Sequence, residues 1–214
     1  MNSIVDTILM IPAILVAMTF HEYAHALVAV KLGDNTPKYQ GRLTLNPFSH
    51  IDILGFLMIL LMGFGWGKPV QINPNALKNY YKDDLKISIA GPLANLFCAL
   101  VSAILLALSY KIPFLNNNLG LVVINIINYM VLYNCLWCFL NLLPIPGFDG
   151  FSVVRDLFPR KFYKLSNSIY RYQFIIFIIL ILPIFRGSSI LSFIIGIPSK
   201  TVYKFLINTV FSVI

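Results

Sequence analysis

The sequence predicts an all-α polytopic membrane protein with about four to six transmembrane helices, because its composition is strongly apolar and its apolar segments are long. Of the 214 residues, 58% are hydrophobic and only 11% are charged, and the mean hydropathy is +0.81. A soluble domain has about 45–50% apolar and about 25% charged residues, so this chain lacks the polar surface of an ordinary globular protein. We expect residues 1–214 to form a single membrane-embedded domain.

Four apolar segments reach or approach the roughly 20 residues that are needed to cross a bilayer. They are residues 4–30, 85–110, 119–143 and, near the lower limit of length, 170–185. The last apolar segment, residues 190–214, is interrupted by Gly196 and Pro198 and carries Lys200 and Lys204. We expect it to form a half-span followed by an interfacial amphipathic helix.

A shorter apolar segment, residues 51–64, lies between the first two long spans. Lys and Arg are concentrated in three stretches, residues 31–42, 68–86 and 155–171. If residues 51–64 dip into the membrane and return, all three stretches face the cytoplasm, as the positive-inside rule requires. If residues 51–64 cross the membrane, two of the three basic stretches, residues 68–86 and 155–171, face outward. The sequence therefore favours a short re-entrant element. Residues 64–73 resemble a membrane-dipping β-hairpin, whose exposed edge would take an extended peptide.

The net charge of +8 suggests an anionic partner. The basic residues lie next to apolar segments, without a basic helix or an RNA-binding aromatic motif, so we expect contact with anionic lipid and no binding of nucleic acid. No nucleotide cofactor is evident. Cys98, Cys135 and Cys138 lie within apolar segments, and we interpret them as buried small hydrophobic residues although the last two form a C-x-x-C pattern.

The first long span contains the pattern His21-Glu22-x-x-His25. Residues four apart share one face of a helix, so His21 and His25 can bind one metal ion while Glu22 acts as a general base. The chain has one Glu and three His, and chance would produce this pattern on the order of 10⁻⁴ times. Ionisable residues inside an apolar span are costly and therefore indicate function.

Two His residues leave a tetrahedral zinc site one protein ligand short, with the fourth position open for water. The candidates are His50, the three cysteines and the Asp residues, most of which lie in charged loops. Asp149 differs because it follows the third long span in a segment where Pro144 and Pro146 end the helix and Gly150 permits close backbone approach. A helix-capping role for Asp149 is the alternative. The ends of the two spans can meet only if residues 51–64 do not cross.

With these residues, the chain closely resembles the site-2 proteases, the intramembrane zinc metalloproteases of regulated intramembrane proteolysis. It is most similar to the compact prokaryotic branch that has no PDZ or CBS domain. The resemblance covers about residues 4–158 and rests on three signatures in the family's order. They are His21-Glu22-x-x-His25, Gly91-Pro92-Leu93-Ala94-Asn95, and Asn141-x-x-Pro144-x-Pro146-x-x-Asp149-Gly150.

The resemblance implies one zinc ion held by His21, His25 and Asp149, with Glu22 as the catalytic base. It also implies that Asn95, brought near the site by a kink at the preceding proline, contacts the substrate carbonyl or its oxyanion. Small residues surround Asn95 on the second span, so a hydrogen bond between helices is the alternative role.

His50 and Asn141 match the family pattern as possible gating or substrate-binding residues, although His50 could also cap a turn. The implied function is hydrolysis of peptide bonds within or next to transmembrane segments of membrane-protein substrates. Residues 4–158 would form the catalytic core and residues 170–214 the C-terminal helices. The expected location is the plasma membrane, with several crossings and the active site towards the cytoplasm. A non-catalytic metal-binding transporter, sensor or scaffold is the alternative.

Overall fold

The computed structural model describes residues 4–63, 65–115, 117–183 and 188–214. Over these ranges the regular structure is helical. The α-helices are α1 (Ile4–Lys31), α2 (Thr36–Tyr39), α3 (Ile53–Met62), α4 (Tyr80–Ser109), α5 (Asn118–Asn141), α6 (Asp149–Leu157), α7 (Pro159–Ile181) and α8 (Ile190–Val213). Three single-turn 3₁₀ helices join them, and no strand occurs within the described ranges. The predicted all-α fold is confirmed.

Four of these helices, α1, α4, α5 and α8, are long and apolar enough to cross a membrane. The first three correspond to the three long spans predicted from the sequence. The fourth predicted segment, residues 170–185, falls on the apolar end of α7 and beyond it, and its last two residues lie outside the described residues. Helix α7 is not among the four because its first half is basic, with Arg160, Lys161 and Lys164.

The prediction for the last segment was wrong, because α8 is one continuous helix of 24 residues. Pro198 lies inside it without ending it. Next to the proline, Ser199 Oγ donates to Ile195 O at 2.5 Å and Thr201 Oγ1 donates to Ile197 O at 2.9 Å, which adds hydrogen bonds to the turn that the proline weakens. Ser199 is fully buried, with its Oγ 3.4 Å from the carbonyl oxygen of Cys135 on α5.

The segment between α1 and α4 enters and returns at one place. Helix α3 has 10 residues, so it is about 15 Å long and covers only half of the roughly 30 Å apolar core of a bilayer. Ile51, before α3, forms an antiparallel bridge with Gly67, after it, and Lys68 N donates to His50 O at 2.9 Å. The two ends of the element therefore meet, and its re-entrant path through the membrane stays a prediction. Phe64, the first residue of the predicted hairpin, lies outside the described residues, and the hairpin stays a prediction.

Two buried charged side chains hold the rest of this connecting segment, residues 32–79, on the bundle. The Arg42 guanidinium is buried and donates to the carbonyl oxygens of Ser49, Lys68 and Pro69. The fully buried Asp34 carboxylate accepts from the amide of Thr36 at 2.9 Å and from that of Asn73 at 2.7 Å. These bonds bring residues 67–73 against the second half of α1.

Helices α1, α4 and α5 pack against one another and form the centre of the bundle, and α8 packs on α5 and α4. The short helix α6 lies against α4 and α7. The C-terminal end of α8 meets the end of α4 and the start of α5 in one apolar cluster, with Val210 beside Leu106 and Ile124. Helices α5 and α8 therefore run in opposite directions, and α8 ends at the face of the bundle opposite α6.

Candidate metal centre

The first signature lies in the second half of α1, where its two histidines are buried and face α4. Their Nε2 atoms are 3.0 Å apart, and the rings meet nearly at right angles, at 85°. His21 and His25 are 3% and 7% exposed. A spacing of four residues on a regular helix is sufficient to produce this convergence.

The other ring nitrogen of each histidine is fixed by an oxygen on α4. His21 Nδ1 donates to Asn95 Oδ1 at 2.8 Å, and His25 Nδ1 donates to the carbonyl oxygen of Ile87 at 2.7 Å. Because both partners are acceptors, Nδ1 carries the proton and the lone pair of Nε2 is left for a ligand. An acceptor behind each imidazole is the usual second shell of a metal-binding histidine.

Asp149, the first residue of α6, completes the group. Its Oδ2 lies 3.1 Å from His21 Nε2 and 3.3 Å from His25 Nε2, and all three potential ligand atoms lie within 4.8 Å of one another. Burial raises the pKa of the Asp149 carboxyl, but positive charge on the two neighbouring imidazoles lowers it more and holds it well below its usual range. Asp149 is thus a carboxylate.

This arrangement fits a divalent cation. Asp149 Oδ2 is buried and, among the described residues, has no hydrogen-bond donor of good geometry, so it is met by the two imidazole nitrogens alone. Three electron-rich atoms this close together require a positive charge between them. Two imidazoles and one carboxylate form a ligand set that zinc takes in catalytic sites, where a fourth position stays open.

The break between α5 and α6 explains how the carboxylate reaches the histidines. Pro144 and Pro146 cannot continue a helix, and Gly147 adopts a positive φ of 97°. A Cβ added at Gly150 would lie 2.6 Å from the carbonyl oxygen of Leu143, so this position requires glycine. The chain turns tightly here, and the Asp149 side chain points across to α1.

Gly91 of the second signature has a similar steric role on α4. A Cβ at this position would lie 2.6 Å from His21 Cε1 and 2.7 Å from His25 Cε1, closer than real Cβ atoms approach their neighbours. The absence of a side chain lets α4 pack directly against the two imidazole rings. This signature glycine is therefore part of the metal centre.

Asn95 is fully buried, and its amide group is fully engaged by protein atoms. Its Oδ1 accepts from His21, while its Nδ2 donates to the carbonyl oxygen of Ala17 at 2.9 Å and to Asn134 Oδ1 at 3.1 Å. These contacts join α1, α4 and α5 behind the histidine. They match the alternative role as a hydrogen bond between helices, and the expected contact with substrate stays a prediction.

Glu22 lies beside the ligand group and contacts the connecting segment. Its Oε2 accepts from the backbone amide of Val70 at 3.0 Å. Together with His21 it lines two neighbouring cavities. The structure therefore places the expected base next to the expected ligands, at the wall of both cavities.

The remaining two expected residues lie apart from the ligand group. His50 is fully buried in the connecting segment, where its Nε2 donates to Thr44 O at 2.7 Å, and burial lowers its pKa. Among the described residues it is not part of the ligand group. Asn141, at the end of α5, donates from Nδ2 to Trp137 O at 3.0 Å and lines both cavities.

Sequence reasoning missed several supporting groups. Asn134 is fully buried in an apolar span, which is itself a signal of function that could have been used. The backbone groups of Ile87 and Val70 leave no signal in the sequence, because any residue type supplies a carbonyl or an amide. Arg42 could not be separated from the other basic residues of its stretch.

The fold and the site define a class: a membrane-embedded metalloprotease, with the His-Glu-x-x-His pattern inside a helix that is long enough to span the bilayer. The chain is 38% identical over 170 residues to a Bacillus subtilis protein named "Putative zinc metalloprotease YwhC", which covers 78% of this chain and 77% of that protein. The chain belongs to the same zinc metalloprotease family as YwhC.

More distant relatives carry a similar name. A Mycolicibacterium smegmatis protein named "Putative zinc metalloprotease Rip2" is 28% identical over 181 residues, 82% of this chain and 67% of that protein. Its Mycobacterium tuberculosis namesake is 31% identical over 153 residues, 69% of this chain and 56% of that protein. No family model matches the chain, and no solved structure matches it.

Proposed function

We propose that this protein is an intramembrane zinc metalloprotease of the site-2 type, which hydrolyses peptide bonds within or next to transmembrane segments of membrane-protein substrates. One observation carries the proposal: His21, His25 and Asp149 converge inside a bundle of membrane-length helices, and the only Glu of the chain lies beside them. A metal site without catalysis would not need that Glu.

One zinc ion held by His21, His25 and Asp149 would act as a Lewis acid on the substrate carbonyl and would lower the pKa of water to about 7. The residues of the chain fix the geometry. Asn95 and the Ile87 carbonyl hold the two imidazoles, and the turn before α6 holds the carboxylate. A preorganised site of this kind needs little rearrangement during the reaction.

Glu22 moves the protons. Its Oε2 is held by the Val70 amide, which leaves Oε1 to accept a proton from the attacking water. The water oxygen bonds to the carbonyl carbon, the C–N bond breaks, and Glu22 returns the proton to the departing amine nitrogen. The products are a carboxyl group and an amine, and Glu22 ends in its starting state.

The proposed location is the plasma membrane, with several crossings and the metal centre towards the cytoplasm. The three basic stretches support this orientation, because they all lie at the end of the bundle that holds α2 and α6, next to the metal centre. The proposed partners are the bilayer and transmembrane segments with a local helix breaker, since a regular helix hides its carbonyl groups in hydrogen bonds.

The test is Glu22→Gln in liposomes that also contain a single-span test segment with an Asn-Gly break near one end. We expect the variant to keep its zinc, measured by elemental analysis, and to lose cleavage. Asp83→Asn is the matched control, because Asp83 pairs with Lys86 and is not among the residues that line the two cavities, and it should cleave normally. Equal cleavage by Glu22→Gln and the parent would contradict the mechanism, and zinc binding without cleavage by the parent would favour a transporter, sensor or scaffold.

A further inference from the structure

Two cavities meet at the metal centre, and their linings differ in chemistry. The first, of about 460 Å³, has a mostly apolar lining and includes Met18, Trp137, Leu140 and Phe174. The second, of about 390 Å³, has a mixed lining that is more polar than that of the first, and we call it the polar cavity. Its lining includes His25, Asp84, Ser88, Ser152 and Arg155. Both volumes fall within the range of about 300–1,000 Å³ that is typical of binding sites.

The two cavities lie at different depths in the bundle. On α1, Met18 lines only the apolar cavity and His25 only the polar one, and seven residues of helix place them about 10 Å apart. The α4 residues of the polar cavity, from Tyr80 to Ser88, belong to the first third of that helix, next to the connecting segment. The polar cavity is thus at the loop end, and the apolar cavity lies deeper.

His21 and Glu22 line both cavities, whereas His25 and Asp149 line the second alone, so the metal centre lies in the second cavity, next to the first. Pro69, Asn141 and Gly147 are also shared. A polypeptide that presents one peptide bond to the centre can therefore extend one flank along each cavity, through surroundings of different polarity.

We propose that the two cavities are the subsites on either side of the scissile bond, the apolar cavity for a large hydrophobic side chain of the membrane-embedded flank and the polar cavity for a polar side chain of the juxtamembrane flank. This inference rests on the proposed function. It makes the substrate a transmembrane segment cut where its apolar sequence gives way to polar sequence, and it fixes which flank points into the membrane.

The reason is the cost of desolvation. A charged side chain in the apolar cavity loses its water without gaining a partner, because the charged groups of that cavity are confined to the metal centre. In the polar cavity, Ser88 and Ser152 offer hydroxyl groups, and the ion pair of Asp84 with Arg155 adds polar groups to the wall. A charge on the wrong flank should slow cleavage by about ten- to a hundredfold.

The first test uses a series of single-span test segments with Asp or Lys placed at successive positions on either side of the cleaved bond. The protein as a whole is reconstituted with each segment in liposomes. We expect charges to be tolerated on the juxtamembrane flank and to slow cleavage by about ten- to a hundredfold on the membrane-embedded flank. Equal tolerance on both flanks would overturn the inference, while failure to cleave any segment would overturn the proposed function and the inference with it.

The second test fills each cavity in turn. Leu140→Trp should slow cleavage of segments with Phe on the apolar flank at least tenfold, with little effect on segments with Ala there. Ser152→Phe should likewise slow cleavage of segments with Phe on the juxtamembrane flank, with little effect on segments with Ala there. Leu121→Trp is the control, because Leu121 is 55% exposed near the other end of α5. Equal loss for Phe and Ala segments would contradict the subsite assignment.

A binding measurement separates this inference from catalysis. In the Glu22→Gln background, Leu140→Cys and Ser152→Cys are each combined with single cysteines along the test segment. Disulfide formation should pair the first with the apolar flank and the second with the polar flank. The three native cysteines are buried, so the Glu22→Gln protein itself gives the background. Pairing of both positions with the same flank would overturn the proposal whether or not the parent cleaves.

Discussion

At the scale of single residues, the metal centre depends on groups that do not touch the metal position. Asn95 holds the ring of His21 and is itself held by Ala17 and Asn134 on two other helices. Gly91 acts through its lack of a side chain, which leaves the space in which the two imidazole rings lie. Both act on the ligands through position, and both effects can be measured as zinc affinity.

We expect Asn95→Leu to lower zinc affinity by about 10- to 100-fold, because the acceptor behind His21 is lost. Asn95→Asp keeps an acceptor for His21 Nδ1 and should retain most of the affinity. The measurement is competition with a zinc chelator on the purified protein. If Asn95→Leu instead kept its zinc and only raised KM for the substrate, the residue would be a substrate contact.

Gly91→Ala tests the steric role. The added Cβ would press on both imidazole rings, so we expect a folded protein with little bound zinc. Gly196→Ala on α8 is the matched control, because a Cβ there meets no atom within 4 Å. Circular dichroism and elemental analysis report folding and zinc separately, and normal zinc content in Gly91→Ala would refute the prediction.

At the scale of elements, α6 is the helix that must be held in place. It has nine residues, and an isolated helix of that length is unstable in water. Its Arg155 pairs with Asp84 on α4 and with Asp156, and its guanidinium lies 5.3 Å from the centre of the Tyr80 ring. Phe151 of the same helix is buried against α7. These contacts position the carboxylate at the start of α6.

Arg155→Met should therefore weaken zinc binding about tenfold, although Arg155 is not a ligand. The charge exchange Arg155→Glu with Asp84→Lys should recover part of the loss, because it restores an ion pair between α6 and α4. Chelator competition again gives the readout. Equal affinities for Arg155→Met and the exchanged pair would show that the ion pair does not position α6.

Asp156, next to Arg155, should have the opposite effect, because its ionised side chain destabilises the folded protein. Burial raises its pKa to about 6 against the attraction of Arg155, so its ionisation opposes folding. The folded protein then binds more protons than the unfolded chain between about pH 4 and 6, and stability falls as the pH rises through that window. Asp156→Asn should raise the melting temperature at pH 7.5 and flatten its pH dependence. A lower melting temperature at pH 7.5 would contradict this.

At the scale of the whole molecule, the helix directions define which parts share a side. The metal centre, α2 and α6 lie at one end of the bundle, and residues 111–115 and the end of α8 lie at the other. With four crossings, α8 begins on the side of the metal centre and ends on the opposite side.

This topology is tested by labelling engineered cysteines in intact cells with a reagent that does not cross membranes. Phe114→Cys should react, because Phe114 is 79% exposed at the outer end. Tyr39→Cys, at a residue 83% exposed beside the metal centre, should react only after the cells are opened. Reaction of Tyr39→Cys in intact cells would reverse the proposed orientation.

The sequence was sufficient for the parts of this protein that depend on local pattern. Apolar length predicted α1, α4 and α5, and helical spacing placed the two histidines on one face. The prediction for α8 was wrong, because its proline and lysines indicated a break in the segment. Hydrogen bonds from its hydroxyl groups and packing on α5 and α4 keep it helical. The sequence was silent on the Ile87 carbonyl, on the Val70 amide and on the docking of α6, since these depend on which segments meet in space.

The contacts of Arg42 have a consequence for how the connecting segment can vary. Among the described residues, its guanidinium bonds to main-chain carbonyls, those of Ser49, Lys68 and Pro69, and these bonds do not depend on which side chains those positions carry. The side chains at these three positions can thus change while the hydrogen bonds that hold the segment are kept. Arg42 itself is constrained, and lysine, which has no forked donor group, should not replace it.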